Sequence, residues 1–353
     1  MRDVAVVGFT QAPNVRSTSG SSTGVEMLVP TFQEIYRQTG LGKTDIDFWC
    51  SGSSDYLAGR SFSFVSAVDA IGAFPPIIES HVEMDAAWAL YEAWVKVLTG
   101  EADVALAYGF GKSSAGTLRR VLSLQTDPYV VAPLWVDAVS MAALQARVGL
   151  ESGTWSERDM AEVVVRSRAA AKDNPRAQLS GDHTVEELLA QEAYADPLRK
   201  HDCPPITDGA SAVVIAAGDR ARELCDNPAW ITGFAHCTDG QSLGGRDLTT
   251  SPSTTAAGSA AGLNGAGVDT AELYAPFSHQ EIVLRRALGL DDRVRVNPSG
   301  GALCANPMFA AGLVRIGEAA SRIHRGESAR ALAHATSGPA LQQNLVCVME
   351  GQH

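Results

Sequence analysis

The sequence predicts an α/β protein of two duplicated halves related by a pseudo-twofold, with sheets sandwiched by helices and a cap inserted in the first half. Three observations predict it: an internal repeat at an offset of about 225 residues, unbroken apolar runs at the repeated positions, and a charged, helix-forming stretch that the repeat does not include.

The repeat comes first, because self-similarity at a fixed offset decides architecture before any local pattern does. Val6-Val7-Gly8-Phe9 returns as Ile231-Thr232-Gly233-Phe234, and Thr44-Asp45-Ile46-Asp47 returns as Val268-Asp269-Thr270-Ala271. Met84-Asp85-Ala86-Ala87 returns as Met308-Phe309-Ala310-Ala311. Gly100-Glu101 with Ala105-Leu106-Ala107 returns as Gly326-Glu327 with Ala331-Leu332-Ala333. Each match alone is at chance level; four in one order with offsets between 224 and 226 are not. The halves are therefore placed at 1–225 and 226–353.

Within each half the pattern runs strand, helix, strand, helix, strand. Val4–Phe9 and Val104–Tyr108 have no polar alternation, which suits strands covered on both faces. Residues 84–98 are apolar nearly all round, which suits a helix between two layers, and Gly100 stops it. The Ser/Thr/Gly run at 16–24 reads as a surface loop before a helix from about Val25. Residues 113–203 differ in composition: helix formers over Glu157 to Lys172 and Thr184 to Ala193, broken by Pro175 and Pro197. A linker is one reading; a cap over a substrate site fits better, since loops on a rigid scaffold carry specificity.

Bulk properties exclude several classes. A net charge of −12 gives no basic face for nucleic acid. The six cysteines are scattered with no CxxC pair, and the histidines have no metal-ligand spacing, so no metal site is expected. No segment has the length and apolarity of a membrane span, and no secretory signal opens the chain. Free thiols in a cytoplasmic, reducing compartment are the expectation.

The sequence resembles the thiolase superfamily along essentially its whole length, closest to the sterol-carrier-protein-x thiolases and the actinobacterial lipid-transfer thiolase-like proteins. Asp202-Cys203-Pro204-Pro205-Ile206-Thr207-Asp208-Gly209-Ala210-Ser211-Ala212 resembles the DCxPxxDGAxA segment that re-enters the first half after the cap. Asn297-Pro298-Ser299-Gly300-Gly301 resembles the NPSGG turn, and Leu341-Gln342-Gln343-Asn344-Leu345 the LQxN strand. The resemblance implies the thiolase fold, layered α-β-α-β-α. It implies a CoA thioester as substrate, with Ser299, Gly300 and Gly301 among its contacts, and no cofactor held by this chain.

In that family a cysteine at the start of the buried helix takes up the acyl group, a histidine in a Gly-His-Pro turn activates it, and a His-Asp-Cys-Phe motif completes the site. Cysteine serves because its thiolate is a strong nucleophile near neutral pH and a fair leaving group. This chain departs at each position. Counting back from Gly100, the nucleophile position falls on Glu83. The His-Asp-Cys-Phe motif reads Tyr274-Ala275-Pro276-Phe277, and the Gly-His-Pro turn reads Ala305-Asn306-Pro307.

Each replacement has two readings. Glu83 is a general base if it is buried, or a polar filler of a closed pocket. Asp85 is a site carboxylate, or a first-turn carboxylate that suits the helix dipole. Tyr274 is a proton shuttle or donor, or a strand-end aromatic. A branch of lipid-transfer thiolase-like proteins carries tyrosine at that place, and its members resemble retro-aldolases that cleave β-hydroxyacyl-CoA esters of steroid side chains. A second tyrosine of that branch is missing here, with Pro307 at about its place and Phe309 following. His279 either reaches the pocket or serves as a cap or surface residue. Asn306 is expected to hold a thioester oxygen or a water. His81 is a further candidate, and Cys304 is the thiol to test if acyl transfer occurs; the resemblance gives neither it nor Cys347 the nucleophile's position.

Three functions follow: a carbon–carbon lyase in lipid or steroid side-chain degradation, a non-catalytic scaffold beside an active paralogue, or an acyltransferase with a relocated cysteine. The resemblance implies a homodimer, or a heterodimer with a thiolase-like paralogue, and a zinc-ribbon/OB-fold partner in which any zinc would reside.

Overall fold

The structure, a computed structural model, describes residues 2–18, 24–58, 61–72, 77–263 and 267–351. The strands are β1 (Val4–Gln11), β2 (Phe48–Gly52), β3 (Glu79–Val82), β4 (Val104–Lys112), β5 (Ala193–Ala195), β6 (Leu198–Arg199), β7 (Asp208–Ala217), β8 (Ala229–Thr238), β9 (Thr270–Leu273), β10 (Arg295–Val296), β11 (Arg330–Ser337) and β12 (Gln343–Glu350). The helices are α1 (Gly24–Thr39), α2 (Asp55–Ala58), α3 (Val65–Ile71), α4 (Ala86–Thr99), α5 (Leu118–Leu124), α6 (Ala138–Glu151), α7 (Glu157–Ala170), α8 (Val185–Leu189), α9 (Gly218–Leu224), α10 (Pro252–Ala260), α11 (Ser278–Ala287) and α12 (Ala311–His324).

Ten strands join in the order β10-β9-β11-β12-β8-β1-β7-β4-β2-β3. Read outward from the β1–β8 contact, the two halves match strand for strand: β7 with β12, β4 with β11, β2 with β9 and β3 with β10. The contact itself is short, with Ala5 opposite Trp230 and Val6 opposite Ala229. Ala5 thus faces the residue 225 positions on, its own counterpart in the repeat, so the pseudo-twofold passes through that pair. The thiolase-type layered fold expected from the sequence is the fold observed.

Strand polarity accounts for the layers. The inward faces of both halves (Val6, Phe48, Ala107 and Ile215; Ala333, Leu345 and Cys347) close on α4 and α12, forming one apolar core. The opposite faces pack against α1 and α3 on one side and against α10, α11 and the cap on the other. The central helices can approach closely because their facing residues are small. Ala86, Ala87, Ala89 and Ala93 are fully buried on α4. On α12, Gly312 lies where a Cβ would come within 2.5 Å of Asp85 Oδ1. Such close packing leaves little room for added volume.

Local signals explain the helix ends. Asp85 caps α4 by accepting from the Ala87 N–H, and Gly100 ends it with φ +84°. The Met308–Phe309 loop crosses β4 over two glycines. A Cβ at Gly109 would come within 2.5 Å of the Phe309 carbonyl oxygen, and one at Gly111 within 2.0 Å of that of Met308. The expected loop at 16–24 includes residues 19–23, which lie outside the described residues, and α1 follows from Gly24.

The cap between β4 and β7 carries α5 to α8 and the β5–β6 ribbon. Helix formers run from Thr184 to Ala193, but the helix does not follow them to the end. Instead α8, with its Thr184–Glu187 capping box, ends at Leu189, and Ala193–Ala195 pairs with Leu198–Arg199. Pairing across the Asp196-Pro197 turn outweighs intrinsic helix propensity there. Among the described residues no helix is long and apolar enough to cross a membrane, and no group of three or more His, Cys, Asp or Glu could hold a metal ion.

Candidate active site

A cavity of about 1410 Å³ opens between the cap and the C-terminal ends of the parallel strands. In open α/β sheets this is where ligands bind, because strand ends present loops whose side chains converge. Four sequence candidates, Glu83, Asp85, Tyr274 and Asn306, meet on its wall. Glu83 follows β3, Asp85 precedes α4, Tyr274 follows β9, and Asn306 lies in the loop before α12.

Asp85 is the buried carboxylate of the group, at 3% exposure. Its Oδ1 accepts from Ala87 N–H at 2.9 Å and Leu313 N–H at 3.1 Å, and Oδ2 from Gly312 N–H at 2.9 Å. One carboxylate therefore caps α4 and the first turn of α12 together, across the pseudo-twofold. Two helix N-termini aimed at one point favour negative charge there. Burial pushes its carboxyl above the ordinary range, and the three amides and Arg315 pull against that rise.

Glu83, expected at the mouth of the buried helix, sits two residues outside the cap. The residue that adopts the capping conformation is Asp85. The Glu83 side chain is 49% exposed, short of the burial on which the general-base reading depends. It accepts from Asp55 N–H at 2.7 Å and lies 3.5 Å from His81 Nε2. His81 is itself held by Ser51 at 3.0 Å and stacks on Phe64.

Tyr274 is 7% exposed, and its backbone N–H donates to the His334 carbonyl at 3.1 Å. Its hydroxyl has no hydrogen-bond partner among the described residues. Burial, and then the charge of Asp85, push that hydroxyl's pKa far up, so it keeps its proton at neutral pH. Asn306 is tied down by its backbone, whose N–H donates to Thr207 Oγ1 at 3.1 Å. Its side-chain Oδ1 is buried with no partner among the described residues. A buried amide oxygen left unmatched is uncommon and calls for an explanation, such as a ligand or an ordered water. The cavity therefore presents one phenol and one amide, both free, with two carboxylates beside them.

Two other expectations fail on placement. His279 does not line the cavity. It is fully buried in the first turn of α11, 3.2 Å from Gln145 Oε1 and stacked on Trp155. Burial drives its pKa down to about 3, which leaves a neutral core histidine. Ser299, Gly300 and Gly301 are not on the cavity wall either. Ser299 spends its N–H and hydroxyl on Glu272, at 2.9 and 2.7 Å, and accepts from Arg315 at 2.7 Å. Gly300 and Gly301, with φ +97° and +65°, make the turn possible. This motif works for the fold: it anchors the buried Glu272–Arg315 pair beneath the site.

No thiol in the site is primed. Burial pushes Cys203, on the wall, up to about 12. Cys304 rises to about 11 for the same reason, opposed by Arg168 and Arg315. Cys347 is also shifted upward by burial.

Sequence reasoning missed Arg168, a buried cationic residue that lines this cavity. The signal was available. Met160, Ala161, Val164, Ser167 and Arg168 share the buried stripe of α7, so a charge stood among apolar residues at helical spacing.

No protein-family model matches the chain. Among characterised proteins it is 29% identical to the acetyl-CoA acetyltransferase of Methanothermobacter thermautotrophicus, over 94% of this chain and 93% of that one. It is also 29% identical to the 17-hydroxy-3-oxo-4-pregnene-20-carboxyl-CoA lyase of Mycobacterium tuberculosis, over 81% of this chain and 78% of the lyase. Its backbone matches the solved Ltp2-ChsH2(DUF35) aldolase with a TM-score of 0.82 at 19% identity, covering 99% and 98% of the two chains.

Proposed function

Because the chain is thiolase-like in sequence and in fold, with an acyl-CoA-related function, we propose that it carries out retro-aldol cleavage of a β-hydroxyacyl-CoA from a lipid or steroid side chain. The observation that carries this reading is the unpartnered Tyr274 hydroxyl in a cavity that has no primed thiol. An acyl-enzyme route needs a thiolate. Retro-aldol cleavage needs only an acceptor for the β-hydroxyl proton and a donor for the enolate oxygen.

The steps balance on residues of this chain. The β-hydroxyl gives its proton to Tyr274 as Tyr274 passes its own toward Asp85, whose burial raises its proton affinity. The O–H pair becomes the carbonyl π bond of the ketone. The Cα–Cβ pair moves onto Cα, and the thioester enolate oxygen is held by the Asn306 amide. The proton held by Asp85 returns through Tyr274 to Cα, which regenerates the carboxylate and releases the shortened acyl-CoA. A zinc-ribbon/OB-fold partner belongs to this reading, supported by the subunit pair in the aldolase's name.

One observation favours a second reading. The oxygens of Asp85 are already held by three backbone amides, so the carboxylate also plugs the point where α4 and α12 converge. In a non-catalytic scaffold beside an active paralogue that would be its whole role. The deciding experiment supplies a β-hydroxyacyl-CoA to the chain, with and without the partner, and assays ketone and shortened acyl-CoA. The lyase reading requires both products in equal amounts. Neither product in either condition, with CoA esters still bound, leaves the scaffold.

A further inference from the structure

The basic side chains on the cavity wall differ in depth. Arg16, Arg119, His183 and Lys200 are exposed, and His201 is half-buried beside Asp202. Arg168 is 9% exposed, and its Nε is buried with no acceptor. Among the described residues its guanidinium donates no hydrogen bond and forms no ion pair. Burial pulls its pKa down, with only the Cys304 thiol opposing. An unpaired buried guanidinium is costly, and such groups persist where a ligand completes them.

Its position sets it near the reacting groups. Ser167, the preceding residue, accepts from Cys304 Sγ at 3.3 Å. The Cys304 carbonyl accepts from Gln178 and Leu179 N–H, and Gly181 N–H returns to the Arg168 carbonyl. Arg168 thus stands on the floor that carries Asn306, two residues past Cys304. CoA phosphates are bulky and strongly hydrated, which suits the exposed cations. A fork of N–H donors inside the cavity matches a planar carboxylate.

We propose that Arg168 forms a carboxylate-recognition subsite, so that the acyl chain of the thioester carries a second, free carboxylate. This rests on the acyl-thioester reading of the same cavity and narrows its substrate class. Calorimetry on the full chain tests it, with glutaryl-CoA and pentanoyl-CoA as probes of equal carbon count. The wild type binds glutaryl-CoA about tenfold or more tighter. Arg168→Gln brings the ratio to about one and leaves pentanoyl-CoA affinity within about twofold. Arg168→Lys, which keeps the charge and should hold the fold if the glutamine variant does not, retains an intermediate ratio. Equal wild-type affinities for the two esters overturn the subsite and spare the thioester reading. A uniform loss for both esters and for CoA itself on Arg168→Gln means that the arginine meets a CoA phosphate, and overturns it too. No binding of either ester to the wild type removes the thioester reading together with the subsite.

Discussion

Asp85 joins two helices that are far apart in sequence, and its removal has a calculable effect. In Asp85→Ala the N–H groups of Ala87, Gly312 and Leu313 lose their acceptor at once. A buried donor left unmatched costs about 1–3 kcal/mol, so three give about 3–9 kcal/mol. The lower part of that range applies, because Asp85 borders the cavity and water can occupy the vacated space. We expect about 4 kcal/mol. At about 2.1 cal/mol/K per residue over 353 residues, this lowers the melting temperature by about 5 °C. Asp85→Asn keeps one acceptor oxygen and should lose about half as much. Differential scanning calorimetry at pH 7 reads both. A Asp85→Ala protein that melts within 1 °C of wild type would refute the double cap, and with it the explanation of why a carboxylate occupies this point.

Two further predictions concern titration and thiol chemistry. His279 has a folded pKa of about 3 against the ordinary 6.5, so the unfolded chain binds the proton first and stability falls as pH drops below 6.5. From pH 6.5 to 4.5 that loss is about 2 kcal/mol, and urea titrations of His279→Gln should lack this share of it; an acid limb as steep as wild type contradicts the buried neutral histidine. Iodoacetamide at pH 8 should modify the partly exposed Cys237 before Cys304 or Cys347, which are fully buried and shifted upward. Peptide mass mapping checks the order, and acyl-CoA should leave no acyl group on Cys304; an acylated Cys304 would restore the acyltransferase.

The sequence made the duplication legible because each half folds around the same buried helix and strands, and the same small apolar residues must recur there. It could not reveal what the halves do to each other. The Asp85 bonds to Gly312 and Leu313 span 227 and 228 residues, and only the pseudo-twofold brings those groups together. The failures have similar causes. The resemblance offers Ser299, Gly300 and Gly301 as ligand contacts, yet Glu272 and Arg315 consume the polar groups of Ser299. His279 follows a site motif directly, but the first turn of α11 points it into the core against Trp155. Arg168 is hard to find by residue type, since arginine is most often a surface residue, but its place on a buried stripe marks it.

The central claim is that the free Tyr274 hydroxyl performs the chemistry. Tyr274→Phe removes one hydroxyl and keeps the ring, so the measurement is kcat for β-hydroxyacyl-CoA cleavage beside Kd for the same ester, in the chain assembled with the proposed partner. The account predicts a fall in kcat of about 10²–10³-fold with Kd within about twofold. An unchanged kcat would contradict it and assign the turnover to another subunit.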